Sequence, residues 1–120
     1  MEWIFEGDRP IWIQLVEQLR QRIVTGVYPP GERIPAVREL AEDAGVNPNT
    51  MQRAMSLLES EGIIATNRTS GRVVTNNEEI LKSVRMKIAQ EKIEEFIKNM
   101  GVLGFNFIDI KQLLEEREVK

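Results

Sequence analysis

The chain has 120 residues, enough for one domain or for one domain with a small appendage. It is 42% hydrophobic and 29% charged, an ordinary globular balance, and its net charge of -3 argues against indiscriminate nucleic-acid binding while leaving room for a local basic patch. With Cys 0 and His 0, disulfides, Cys/His zinc sites and His-based acid–base catalysis are excluded, so neither a metal nor a cofactor is expected.

No apolar run reaches the roughly 18 residues of a membrane span. The stretch Met1-Glu2-Trp3-Ile4-Phe5-Glu6 lacks a basic segment followed by an apolar one, so the cytoplasm is the default location. Trp3-Ile4-Phe5 is expected as a brief strand or arm that packs on the first helix, followed by the turn-rich Glu6-Gly7-Asp8-Arg9-Pro10. Pro10 opens a helix running to about Thr25. Trp12, Leu15, Val16, Leu19 and Ile23 form its apolar stripe, Gln14, Glu17, Gln18, Gln21 and Arg22 its wet side, and Gly26 its stop. Three prolines and a glycine in residues 27–35 make a rigid connection.

A second helix over 36–44 turns Val37, Leu40, Ala41 and Ala44 inward and projects Arg38, and Gly45 ends it. Asn47 is an N-cap type, Pro48 suits the first helical position, and a third helix follows to about Glu61, closed by Gly62. Met51, Ala54, Met55 and Leu58 make its apolar stripe, and Asn49, Gln52, Arg53 and Ser56 its polar face. Amide and guanidinium groups on a helix pinned by a turn suit the hydrogen-bonding edges of bases, although a solvated amphipathic helix has the same pattern. The short joint between the second and third helices is that of a helix-turn-helix.

Two β-prone runs, 63–66 and 72–75, flank the polar turn Asn67-Arg68-Thr69-Ser70-Gly71 and predict a hairpin in the position of a wing over residues 63–75. Arg68 and Arg72 flank its tip, and Thr69 and Ser70 are able to donate to phosphate. Beyond Asn76-Asn77 a long helix is expected to about Met100, with Leu81, Val84, Ile88, Ala89, Ile93, Phe96, Ile97 and Met100 on a drifting stripe. After Gly101-Val102-Leu103-Gly104, Asn106 caps a last helix bearing Phe107, Ile110, Leu113 and Leu114, and the tail 115–120 is expected to fray. The fold class is therefore α+β and mostly helical. A winged helix-turn-helix domain over 1–75 precedes a small two-helix dimerisation region over 76–120.

Pro10 to Thr75 resembles the winged helix-turn-helix domain of the GntR family of bacterial transcription regulators. The resemblance rests on the ordered runs Gly31-Glu32-Arg33-Ile34-Pro35-Ala36-Val37-Arg38-Glu39-Leu40-Ala41, Gly45-Val46-Asn47-Pro48-Asn49-Thr50-Met51-Gln52-Arg53-Ala54 and Leu58-Glu59-Ser60-Glu61-Gly62-Ile63-Ile64. The Asn-Pro-Asn-Thr run, Val37 and the short remainder resemble its YtrA-type subfamily, whose members end in a small helical dimerisation region. The resemblance implies that Arg38 contacts the DNA backbone or nearby bases, that Pro48, Asn49, Thr50 and Gln52 face the groove, and that Gly71 carries the wing tip to the minor groove; Asn47, at the helix start, is expected among the DNA-binding residues too. The chain departs from many members in having Ala36 in place of an N-capping serine, a loss of ~1 kcal/mol, and in lacking arginine at Pro48 and Gln52. Asn and Gln pair best with adenine, so A·T pairs are expected opposite Asn49 and Gln52.

The expected protein is a transcription regulator that binds a palindromic operator in double-stranded DNA as a homodimer, with no membrane partner, and the subfamily resemblance implies that it is a repressor. Asn49, Gln52 and Arg53 read bases, and Arg38, Arg68 and Arg72 contact phosphates. The dimer is expected through Leu81, Val84, Ile88, Ile93, Phe96, Ile97, Met100, Phe107, Ile110, Leu113 and Leu114, because 45 residues bury such a stripe poorly alone. A second reading is a ligand-responsive switch with a small-molecule pocket at that interface, lined by Phe96, Met100, Phe105 and Phe107. An enzyme is not expected. The pairs Glu78-Glu79, Glu94-Glu95 and Glu115-Glu116 are adjacent residues that diverge by about 100° around a helix and do not converge on a substrate.

Overall fold

Pro10 occupies the N-cap of the first helix of the computed structural model, which describes residues 2–117. The elements run α1 (Ile11–Val24), α2 (Val37–Ala44), α3 (Pro48–Ser60), β1 (Ile64–Asn67), β2 (Gly71–Val74), α4 (Glu78–Val102) and α5 (Phe107–Glu115). The fold is mostly helical with one small antiparallel sheet. The chain divides into two compact units, Met1–Arg85 and Met86–Lys120.

In the first unit α3 packs against both α1 and α2. Leu15, Val16, Leu19 and Ile23 of α1, Leu40 and Ala41 of α2, and Met51, Ala54, Met55 and Leu58 of α3 are buried in one cluster with Ile34, Ile63, Ile64 and Val74. The expected stripes of the second and third helices thus face the core, with Val37 and Ala44 at its edge. Helix α2 ends at Gly45 with φ 70, where Val46 N–H reaches back to the Ala41 carbonyl at 2.9 Å. This left-handed end suits glycine, which has no Cβ to crowd the following carbonyl. Asn47 then caps α3, its side-chain oxygen accepting from Asn49 N–H at 2.7 Å, with Pro48 in the first turn. Ala36 supplies no side-chain bond to the start of α2.

The hairpin pairs Ile64 with Val74 and Asn67 with Gly71, one residue later on the first strand and one earlier on the second than expected. It is broader than a hairpin. Arg33 forms an antiparallel bridge with Val73, and Gly31, Glu32 and Ile34 exchange backbone hydrogen bonds with Val74 and Arg72. The segment before α2 therefore lies along β2 as a third, short strand. A Cβ at Gly31, whose φ is 77, would sit 2.5 Å from Asn76 Oδ1, so the wing's exit closes tightly on this segment.

Three expectations are corrected in this unit. Gln14, placed on the wet side, is buried, because its amide donates to the carbonyls of Glu6 and Arg9 and accepts from Glu6 N–H. Gln18 grips Ile4 N–H and C=O in the same way. The N-terminal arm is held by side-chain amides standing in for a partner strand. Arg22 is also buried, stacked 3.7 Å from the Trp3 ring centroid and donating to the Tyr28 hydroxyl, which compensates its charge inside the fold. Leu81 and Val84, assigned to a dimer stripe, pack instead on the core of this unit, with Leu81 fully enclosed. The first turns of α4 are therefore structural parts of the winged unit.

In the second unit, Gly101 lies within α4, which runs to Val102, and Gly104 carries the turn at φ 94. Asn106 caps α5 in a reciprocal box. Its side chain accepts from Asp109 N–H at 2.9 Å, and Asp109 accepts from Asn106 N–H at 3.0 Å. Ile110 is buried, whereas Ile93, Phe96, Phe107, Leu113 and Leu114 are exposed, and Ile88, Ile97 and Met100 half-buried. The frayed tail expected from 115 is shorter at its start, since Glu115 closes α5 and Glu116 is its C-cap; positions 118–120 lie outside the described residues.

Candidate nucleic-acid interface

Burial of Met51, Ala54, Met55 and Leu58 fixes the rotation of α3 and leaves Asn49, Gln52, Arg53 and Ser56 on its exposed side. Asn47 and Pro48 are exposed at the helix start, and Thr50 is half-buried. The Asn47 oxygen is committed to the cap, which leaves its amide N–H groups free to donate outward. Gln52 Nε2 donates to Ser56 Oγ at 3.0 Å, so two polar side chains one turn apart are already oriented together. Arg38 is exposed on α2, with no ion pair among the described residues. Amide and hydroxyl groups of Asn49, Gln52 and Ser56 thus share one exposed face of α3, and a guanidinium is exposed on the preceding helix.

The wing is fastened to this helix. Glu59 of α3 accepts from Thr66 Oγ1 of β1 at 2.8 Å and from Arg72 Nε of β2 at 3.0 Å. These two bonds, the Thr66 hydroxyl first, hold the Glu59 carboxyl below its ordinary value. Arg72 is therefore not the free phosphate-binding group that its place in the sequence suggested. Its guanidinium is half-buried and turned back to the helix by the nearest carboxylate. Arg20 and Glu61 form a second tie, a bidentate pair between α1 and the residue that caps α3, with contacts of 2.6 and 2.7 Å.

At the wing tip Asn67 Oδ1 accepts from Thr69 N–H, Thr69 Oγ1 and Ser70 N–H, which builds the turn between the strands. The Thr69 hydroxyl, expected to donate to phosphate, donates inward. Ser70 and Arg68 remain exposed at the tip, and Arg68 has no ion pair among the described residues. Gly71 has φ 79, and a Cβ there would lie 3.7 Å from Arg33 Nε, so the Arg33 side chain lies alongside the wing. Arg33 was not among the expected site residues. Its signal was its place between Gly31 and Pro35 next to an apolar Ile34, a short extended run whose alternation turns Ile34 in and Arg33 out.

Arg53, expected to read bases, is occupied as well. Its guanidinium carbon stands 3.9 Å from the centroid of the Trp12 ring. Trp12, expected as core, packs against it while staying half-buried, and its ring offers a flat face to Arg53.

Residues 13–74 match the family described as bacterial regulatory proteins, gntR family. The chain is 32% identical over 111 residues to the HTH-type transcriptional repressor YtrA of Bacillus subtilis (strain 168), covering 92% of this chain and 85% of that one. It resembles the solved structure of a GntR family transcriptional regulator from Listeria monocytogenes, with TM-score 0.82 and 37% identity over 95% of this chain and 100% of the other. The DNA-binding domain of AraR, solved in complex with operator ORX1, is similar at TM-score 0.56 and 28% identity, over 62% of this chain and 96% of that one. The clamped wing, the capped α3 and these matches agree: the chain is a transcriptional regulator of the GntR family, carrying that family's DNA-binding domain.

Proposed function

We propose that the protein is a cytoplasmic repressor that binds a palindromic operator as a homodimer. The observation that carries the DNA reading is the exposed face of α3, where Asn49 and Gln52 stand beside each other at the end of a helix capped by Asn47 and flanked by the clamped wing. On this reading α3 enters the major groove, Asn49 and Gln52 pair with adenine, and Arg38 and Arg68 contact phosphates. Asn47 donates through its free amide, Pro48 and Thr50 pack against the backbone rim, and Ser70 and Gly71 bring the wing tip close to the adjacent groove. Arg33 joins the wing contacts.

The dimer is proposed from the second unit. Ile93 is 56% exposed, Phe107 64% and Leu114 51%, a concentration of apolar surface that a lone chain leaves in water. A two-fold copy would cover it and would set two copies of α3 about 34 Å apart, one turn of DNA. Ile88, Phe96, Ile97, Met100 and Leu113 belong to the same proposed contact. Repression follows from occupancy, since a dimer seated across a promoter excludes polymerase.

The test is selection of bound duplexes from a random pool, followed by titration of the selected site. An inverted repeat with A·T pairs at the positions facing α3 is the expected result. Gln52→Ala should relax preference at one base pair of each half-site, and Arg68→Ala should weaken all sequences alike. Affinity for the selected site unchanged from the parent in both variants would overturn the assignment.

A further inference from the structure

The stack of Arg53 on Trp12 sets it apart from the other polar residues of α3. Met51, Ala54, Met55 and Leu58 point into the core, so the centre of the outward face lies close to Asn49, with Ser56 and Arg53 about 30° to either side. At about 100° per residue, Gln52 and Arg53 lie on opposite flanks of that centre. Glu59, which holds the wing, lies on the Gln52 flank. The Arg53 flank is the one beside α1, because its guanidinium rests on Trp12, at 3.9 Å from the ring centroid.

We propose that Trp12 is a positioning residue that withdraws Arg53 from base reading and holds it for a phosphate at the α1 rim of the groove. A planar guanidinium stacked on an indole keeps its N–H edge free, and that edge is the part that binds a phosphate in two-pronged fashion. The stack removes the long side chain's rotamer freedom before DNA arrives, so less ordering remains for binding. The wing, with Arg68 and Arg33, supplies cations on the other flank, and α3 then lies between two phosphate contacts. This assignment rests on the reading of α3 as the groove-entering helix, and it adds the N-terminal turns of α1 to the interface.

The experiment compares Arg53→Ala, Arg53→Lys, Trp12→Phe and Trp12→Leu in affinity and salt dependence on the selected duplex and on an unrelated duplex. Arg53→Ala should weaken both duplexes by a similar factor, about fivefold, with the salt slope lowered by about one and the base preferences unchanged. Arg53→Lys should keep the slope but lose part of the affinity, because an ammonium is a point charge without the fork. Trp12→Phe should retain most of the binding, and Trp12→Leu should lose about as much as Arg53→Lys while circular dichroism and thermal midpoint stay near those of the parent.

A separate readout follows Trp12 fluorescence in a Trp3→Phe background, where duplex addition should change the emission. Relaxed preference at one base pair in Arg53→Ala, with an unchanged salt slope, would make Arg53 a base reader and overturn the proposal. An emission that ignores saturating duplex would also overturn it. If the parent protein itself shows no salt-dependent binding to any duplex, the groove-entry reading fails first. A parent that binds with an Arg53 variant indistinguishable from it leaves that reading standing and removes only this one.

Discussion

The two units use their apolar residues in opposite ways. In the first, Leu15, Leu19, Met51, Met55 and Leu58 reach complete burial within the chain, and even polar Gln14 and cationic Arg22 are taken inside because each finds partners there. In the second, Ile110 is buried while Phe107, Ile108 and Leu114 stay largely in solvent. The difference shows that one amphipathic pattern has two outcomes. Where three helices and a sheet converge, a stripe becomes a core. Where two helices are all the chain offers, a stripe remains a surface with affinity for another apolar surface.

Substitutions that treat the two units alike would break that comparison. Leu58→Ala should cost about 2–5 kcal/mol of stability, because the cavity it leaves is enclosed on all sides; urea unfolding followed by circular dichroism measures it. On the proposed dimer, the paired substitution Phe96→Glu and Phe107→Glu should leave the winged unit's fold intact and shift sedimentation to the monomer, with loss of tight binding to the proposed palindrome. A drop in unfolding midpoint as large as that of Leu58→Ala would mean that these phenylalanines belong to the chain's own core. A smaller effect is expected at the α3 cap. Asn47→Ala should lower stability by ~1 kcal/mol through the lost bond to Asn49 N–H.

The smallest expected effect is the pH response of the wing clamp. Glu59 ionises more readily in the folded chain than its ordinary value of 4.5, by virtue of Thr66 and then Arg72. A depressed carboxyl pKa stabilises the fold above the unfolded value, and that contribution is lost as pH falls through the folded value. Thermal midpoints taken downward from neutral pH should therefore fall below pH 4.5 more steeply in the parent than in Glu59→Gln, where the titrating group is gone. Parallel profiles would remove Glu59 from the pH response.

Much of the first unit is legible in the sequence. Gly45, Asn47 and Pro48 carry local conformational rules, so the joint between α2 and α3 follows from three letters. Spacing alone placed Met51, Ala54, Met55 and Leu58 inward. Side-chain partners across the chain were not legible. Nothing local to Arg72 says that Glu59 will turn it back, and nothing local to Arg53 says that Trp12 will stack on it. Polarity misled at Gln14 and Arg22, since periodicity treats every polar residue as solvent-facing and does not register a buried one that finds partners inside. At Leu81 the stripe was real and its partner was misassigned, because a helix pattern records that a face is apolar without recording what covers it.

The strand-like run at Arg33 has a mechanical consequence. Because Glu32 and Ile34 are stitched to β2 and the next residues lead directly into α2, the wing is sewn to the front of the helix-turn-helix while Glu59 grips it from behind. Tied by backbone to the entrance of α2 and by side chains to α3, the hairpin keeps a fixed place against the helix. On the proposed reading of α3 and the wing, a duplex whose grooves do not match that fixed placement would have to bend or widen to fit, so local DNA shape, and not only the letters under α3, would enter the choice of site.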